Sequence, residues 1–245
     1  LHAFPIDPTA DTLSLYVVFM CHHISPRSVA SYLSGIANQL EPFFPDIRLA
    51  TRGALMSRTL RGCKKLRSVG TKRKRPLRRS ELAALRPKYA AATNHDDRLF
   101  FAILLTGFFG LMRLGELVCP DKIELRDPRK ITPRASVEFL GDSYSFFLPG
   151  HKADRFFEGN RIIIQSSHTA DDPLAPFTRY LSSRDRLFPY HQPLWLRADG
   201  SIPTRNWFMA RFRKHFADPD VAGHSLRAGG ATALAEAGIP SHIIQ

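Results

Sequence analysis

Fourteen consecutive residues, Leu99 to Met112, carry no charge, and arginines close the run at both ends, Arg98 and Arg113. A helix crossing a bilayer needs about 20 apolar residues, so the run predicts a helix buried inside a folded domain and no membrane span. With its continuation, Arg98 to Val118 is apolar on nearly every side, the pattern of a central helix wrapped by its neighbours. The 245 residues are 44% hydrophobic and 23% charged, enough to build such a core and too apolar for a disordered tail or a collagen-like rod. No secretory signal is expected ahead of the run. Three widely spaced cysteines, Cys21, Cys63 and Cys119, argue against a disulfide framework and for a reducing compartment.

Charge then narrows the partner. The formal net charge is +13, and residues 61 to 79 hold Arg61, Lys64, Lys65, Arg67, Lys72, Arg73, Lys74, Arg75, Arg78 and Arg79 with no acid. A polyanion is the first partner to consider, nucleic acid before an anionic membrane. Ser68 to Pro76 has almost no apolar periodicity and ends in proline, which places a basic linker, 72–79, between a helical unit, 1–71, and a larger domain, 80–245. Three readings of this stretch coexist: a solvated linker, a nuclear import signal at Lys72 to Arg75, and a strap along a DNA backbone. The second predicts the nucleus for a eukaryotic source, otherwise the cytoplasm.

Upstream, Thr12 to His22 and Pro26 to Leu40 are helical, the second opened by Ser25 as cap and proline in its first turn. Val29, Leu33, Ile36 and Leu40 form its core stripe. Arg27, Ser31, Ser34 and Asn38 share another face without acids, suited either to solvent or to a DNA groove. Arg52 to Arg67 supplies a further helix with Leu55, Thr59 and Cys63 on one side. Downstream, Ser80 is expected to cap a helix through Leu85. A hairpin is expected around Gly141-Asp142, with Val137 to Phe139 and Tyr144 to Leu148 as its arms and Arg161 to Gln165 as a third strand. Helices are expected over Leu174–Leu181, Asn206–Phe216 and His224–Ala237. The fold class is therefore mainly α with a small antiparallel β-sheet.

Within that frame a few residues have chemistry to offer. Arg113 interrupts the most apolar helix, with Glu116 one turn on, either a self-satisfied pair or a held guanidinium, and Gly107, Gly110 and Gly115 suggest tight helix packing or close backbone approach. In His224-Ser225-Leu226-Arg227-Ala228-Gly229-Gly230-Ala231-Thr232, His224 and Arg227 share a face at a helix start, a phosphate site or a solvated surface pair. Lys152, past the second hairpin strand, can donate a proton to an oxygen or simply be exposed. Cys21-His22-His23 has no second half at zinc spacing, so neither metal nor cofactor is expected. Phe208 and Phe212, at helical spacing, read as core with Trp195 and Trp207, not as a platform for bases.

The order Arg113, Lys152, His224-x-x-Arg227, with Arg-x-Gly-Glu-Leu at 113–117 and His-x-Leu-Arg-x-Gly-Gly-Ala-Thr at 224–232, resembles the tyrosine recombinases, the phage integrase-like family. The resemblance covers most of the chain and is nearest to recombinases of eukaryotic mobile elements. It implies a helical, SAM-like core-binding domain and a mixed catalytic domain of the DNA breaking-rejoining type, acting on double-stranded DNA as a homo-oligomer and without a metal. It further implies that Arg113 and Arg227 grip the scissile phosphate and that Lys152 protonates the departing 5′ oxygen. His224 would share or move a proton, and Glu116 would orient its neighbours. DNA contacts would come from Arg27, Ser31, Lys64, Lys65, Lys72, Arg73, Lys74, Arg75, Arg78 and Arg79. The family nucleophile is a tyrosine beyond the second arginine, yet Tyr16, Tyr32, Tyr89, Tyr144, Tyr180 and Tyr190 all precede His224. A chain cut before its nucleophile is expected, and a non-catalytic DNA-binding protein on the same scaffold is the alternative. A type IB topoisomerase fits less well, because the Gly-Gly-Ala-Thr match is that of integrases.

Overall fold

The computed structural model describes residues 7–67, 70, 74–150, 154 and 156–244. The chain forms two compact units, Leu1–Lys72 and Arg73–Gln245.

The first unit holds four helices, α1 (Ala10–His23), α2 (Pro26–Leu40), α3 (Ile47–Arg52) and α4 (Ala54–Arg67). Ser25 caps α2 by accepting from the Ser28 N–H, with Pro26 in the first turn. Leu13, Val17 and Cys21 of α1 meet Val29, Leu33 and Ala37 of α2, with Ile47 and Met56 closing the core. Each large aliphatic buried this way contributes about 1.5–3 kcal/mol. The helix expected over Arg52 to Arg67 is α4, which starts two residues later because the extended Gly53 ends α3. Met56 is its buried residue, Leu60 and Cys63 pack beside it, and Leu55 is exposed.

The second unit begins with α5 (Arg79–Ala83), α6 (Arg86–Ala90) and α7 (His95–Phe109). Asn94 caps α7 by accepting from the Asp96 and Asp97 N–H groups, and the helix is buried from Leu99 to Phe108. It is shorter than its apolar pattern predicts. Gly110 ends it, Leu111 takes a left-handed φ of 50°, and Met112 turns back into the core before α8 (Leu114–Leu117) starts. Arg113 therefore stands at the start of a new helix instead of interrupting a buried one.

Strands β1 (Glu138–Leu140), β2 (Ser143–Leu148) and β3 (Asn160–Gln165) form an antiparallel sheet in the order β1-β2-β3. Gly141, at φ 54°, makes the hairpin turn, and Tyr144 pairs with Phe139 on one side and Ile164 on the other. Tyr144, Phe146 and Leu148 alternate into the core. The Tyr144 hydroxyl hydrogen-bonds Thr106 of α7 at 2.9 Å, and its ring stacks on Phe177.

The remaining helices are α9 (Leu174–Leu187), α10 (Arg205–His215), α11 (Gly223–Glu236) and α12 (Ser241–Ile244). The polar sequence after Leu181 predicts an end there, but α9 runs on because Arg184 is fully buried. Its guanidinium donates to the carbonyls of Phe188, His191 and Pro193 and to Asp185. Its charge is thus met inside the protein.

The basic stretch is not a loose linker over its second half. The Arg75 N–H donates to the Asp220 carbonyl, and the buried Leu77 donates its N–H to the Ser225 carbonyl in the first turn of α11. Helix α5 is capped at Arg78, whose N–H donates to the Glu81 carboxylate, and not by Ser80.

Candidate active site

Arg113 has extended backbone, φ −76° and ψ 138°, and precedes α8. Its N–H donates to Glu116 Oε2 at 2.8 Å and its Nη1 to Glu116 Oε1 at 3.1 Å. One nearly buried carboxylate thereby caps the helix and fixes the guanidinium. The arginine side chain is 40% exposed, and among the described residues its guanidinium has no other partner, so its remaining donors are open to a ligand.

Arg227 lies one turn into α11, and its Nη1 donates to the Leu111 carbonyl at 2.8 Å. The second arginine is thus anchored on the turn that leads into the first. The two glycines behind it explain how α11 comes so close: a Cβ at Gly229 would strike the Leu77 carbonyl, and one at Gly230 the Phe108 carbonyl. At the start of α11, a Cβ on Gly223 would lie 3.0 Å from the Leu114 side chain, so α11 and α8 begin side by side. The sequence marks these glycines. It does not mark Leu111, whose backbone oxygen accepts from Arg227 two residues ahead of Arg113, since any residue supplies a carbonyl.

His224 is exposed beside Gly223 and makes no side-chain hydrogen bond among the described residues. It stands three residues ahead of Arg227 in the first turn of the same helix. Lys152, expected in the connection between β2 and β3, lies outside the described residues, as do Lys72 and Arg73.

The candidate DNA contacts divide. Lys64 and Lys65 are exposed on α4, where no carboxylate pairs with them among the described residues. Arg27 and Ser31 are exposed on α2, with Ser31 donating to the Arg27 carbonyl. Arg78 is exposed. Arg75 and Arg79 are already paired: Arg75 donates to Glu81 and Asp218, and Arg79 binds Asp171 through two nitrogens. These carboxylates, distant in sequence for Asp171 and Asp218, neutralise cations that a count of charges leaves free. Lys74 donates to the Pro219 carbonyl and lies 3.9 Å from Asp220.

Three of the tyrosines serve the core. Tyr144 and Tyr180 are fully buried, and burial pushes both phenols well above their usual range, against hydrogen bonds that pull the other way. Tyr89 contacts His215 Nε2 at 2.6 Å, and burial pushes its hydroxyl up to about 12. None of the three is a ready nucleophile.

No protein-family model matches the chain, and no curated protein does. Solved structures do. The XerH site-specific recombinase bound to difH substrate, in its pre-cleavage complex, superposes with a TM-score of 0.58 at 12% identity, covering 97% of this chain. The fold is shared with XerH. A XerH post-cleavage complex on palindromic difH gives 0.51 at 15% identity, covering 91% of this chain. The chain spans 62% and 65% of the length of those two XerH chains. At such identities the likeness to XerH is one of fold: helices around a three-stranded antiparallel sheet, as the sequence predicts.

Proposed function

We propose that this chain carries the catalytic core of a tyrosine recombinase that breaks and rejoins double-stranded DNA. The observation that carries the reading is the Arg227 to Leu111 hydrogen bond, which ties both arginines to one turn, with Glu116 fixing the other end. Two held guanidiniums match the charge of a pentacoordinate phosphoryl transition state, and donors that need no reorganisation are the largest available contribution to its stability. In this reading Lys152 protonates the departing 5′ oxygen and His224 hydrogen-bonds the phosphate or moves the nucleophile's proton. The XerH structures, both complexes with substrate DNA, support the partner. Lys64, Lys65 and Arg78 then meet backbone phosphates, and the acting form is a homo-oligomer on DNA. A eukaryotic mobile element as source, with Lys72 to Arg75 serving nuclear import, belongs to the same proposal.

The nucleophile in this reading is a tyrosine hydroxyl outside these 245 residues, forming a 3′-phosphotyrosyl bond that keeps the energy for rejoining. The second reading is a DNA-binding protein on the same scaffold that does not cleave, its binding carried by the exposed Lys64, Lys65 and Arg78. One experiment separates them. Protein expressed from its gene, in frame past Gln245, is incubated with nicked duplex DNA and run on a denaturing gel. A covalent protein–DNA band that disappears in Arg113→Ala and Arg227→Ala supports the recombinase. Tight binding with no covalent band supports the second reading.

A further inference from the structure

We propose that a pocket between the first turn of α7 and the outer face of α9 is a phosphate-binding site, separate from the candidate active site. It is open, about 210 Å³, and lined by Arg98, Thr178, Arg179, Ser182, Ser183 and Arg186. That is room for a phosphate group with bridging waters, at roughly 30 Å³ for each water.

Three guanidiniums line one pocket, and no carboxylate does. Of the acids in the same helices, Asp185 accepts from Arg134 and Arg184, and Asp96 accepts from Arg211 and the Ala198 N–H. The arginines are positioned but not neutralised: Arg98 Nε donates to the Ala92 carbonyl and Arg179 Nη1 to the Ala90 carbonyl. Arg186 has no partner among the described residues. A guanidinium has five donors, so most of those in the pocket are open. Thr178 and Ser182 donate back to their own helix, at Leu174 and Thr178, and Ser183 bonds His95, so recognition falls to the arginines. Three like charges in one concavity repel one another until an anion of at least two negative charges, or two adjacent single charges, enters. Planar forks of donors fit tetrahedral phosphate oxygens in pairs. The ligand is therefore a phosphate group, as a free phosphate ester or as successive phosphates of a nucleic acid backbone.

The test does not depend on cleavage. Arginine Nε–H resonances are followed by NMR as inorganic phosphate is added, against chloride at equal ionic strength. Shifts of Arg98, Arg179 and Arg186 with phosphate alone, and loss of the Arg98 shift in Arg179→Gln/Arg186→Gln, are expected. Arg186→Gln alone, which breaks no bond among the described residues, covers the case in which the double variant unfolds. Duplex DNA binding is then measured against salt. A fall in the slope of log K against log salt by about 0.9 for each lost contact assigns a DNA backbone as the source. An unchanged slope in a variant that has lost phosphate binding assigns a small phosphate ester. Absence of any phosphate-specific shift overturns the proposal, and so does stronger binding of a polyglutamate peptide than of phosphate.

Discussion

The guanidinium of Arg227 donates to the carbonyl of Leu111, two residues ahead of Arg113, so one turn of chain holds both candidate phosphate ligands. Lysine keeps the charge at position 227 but not the planar fork, and cannot bind Leu111 and a phosphate oxygen in the same way. Arg227→Lys is expected to lower strand cleavage by about 100-fold or more, the scale of losing one preorganised donor. DNA affinity should stay within a few-fold of wild type. Single-turnover cleavage beside fluorescence anisotropy measures both; equal losses in the two would remove Arg227 from the chemistry.

Glu116 has two tasks, and substitutions separate them. Glu116→Gln keeps an acceptor for the Arg113 N–H but weakens the hold on the guanidinium, so cleavage should fall by roughly 10- to 100-fold with little change in melting temperature. Glu116→Ala loses the cap as well and should cost about 1–2 kcal/mol of stability in urea unfolding.

The glycines make a matched contrast. Gly230→Ala places a methyl against the Phe108 carbonyl and is expected to destabilise by about 2–3 kcal/mol or to prevent folding. Gly115→Ala meets nothing within 4 Å in α8 and is expected to stabilise by roughly 0.5–1 kcal/mol. Thermal melts of the two proteins should move in opposite directions.

Acid should loosen the second unit through its ion pairs. Arg75 holds the Glu81 carboxyl below its ordinary 4.5 despite partial burial. For Asp171, burial raises the pKa, but bonds from Arg79 and Thr169 outweigh it and leave the carboxyl below 3.8. Groups lowered on folding stabilise fully above their unfolded pKa and lose that contribution as pH falls through the folded value. Stability should be flat above about pH 5 from these groups and fall below about 4.5, less steeply in Glu81→Gln. Chemical denaturation across pH 3 to 7 checks this.

The basic residues should sort by their partners. Lys64→Gln/Lys65→Gln is expected to reduce the salt slope of DNA binding by about two units, at 0.9 for each phosphate contact. Arg75→Gln, which removes a bridge between Glu81 and Asp218, should leave the slope and lower the melting temperature. The reverse pattern would show that the exposed lysines of α4 are not phosphate ligands.

Periodicity made the sheet and most helices legible. The alternation of Tyr144, Phe146 and Leu148 is local, and so is the cap at Ser25. The break after Phe109 was not, because Leu111 in a left-handed turn looks like any other leucine in an apolar run. Nor was the reach of α9, since a buried Arg184 is a sequence-level sign of solvent until the carbonyls around it are known. Of the candidate site, Arg113 with Glu116 and the pair of glycines after Arg227 were readable as motifs. The partners of Arg75 and Arg79 were not, because Asp218 and Asp171 lie far along the chain.

The hydrogen bonds from Arg75 to Asp220 and from Leu77 to Ser225 moor the segment leaving the basic run to the turn that begins α11. One anchor lies beside His224 and half a turn from Arg227, so the place of α11 is set partly by a stretch of backbone about 150 residues earlier in the chain.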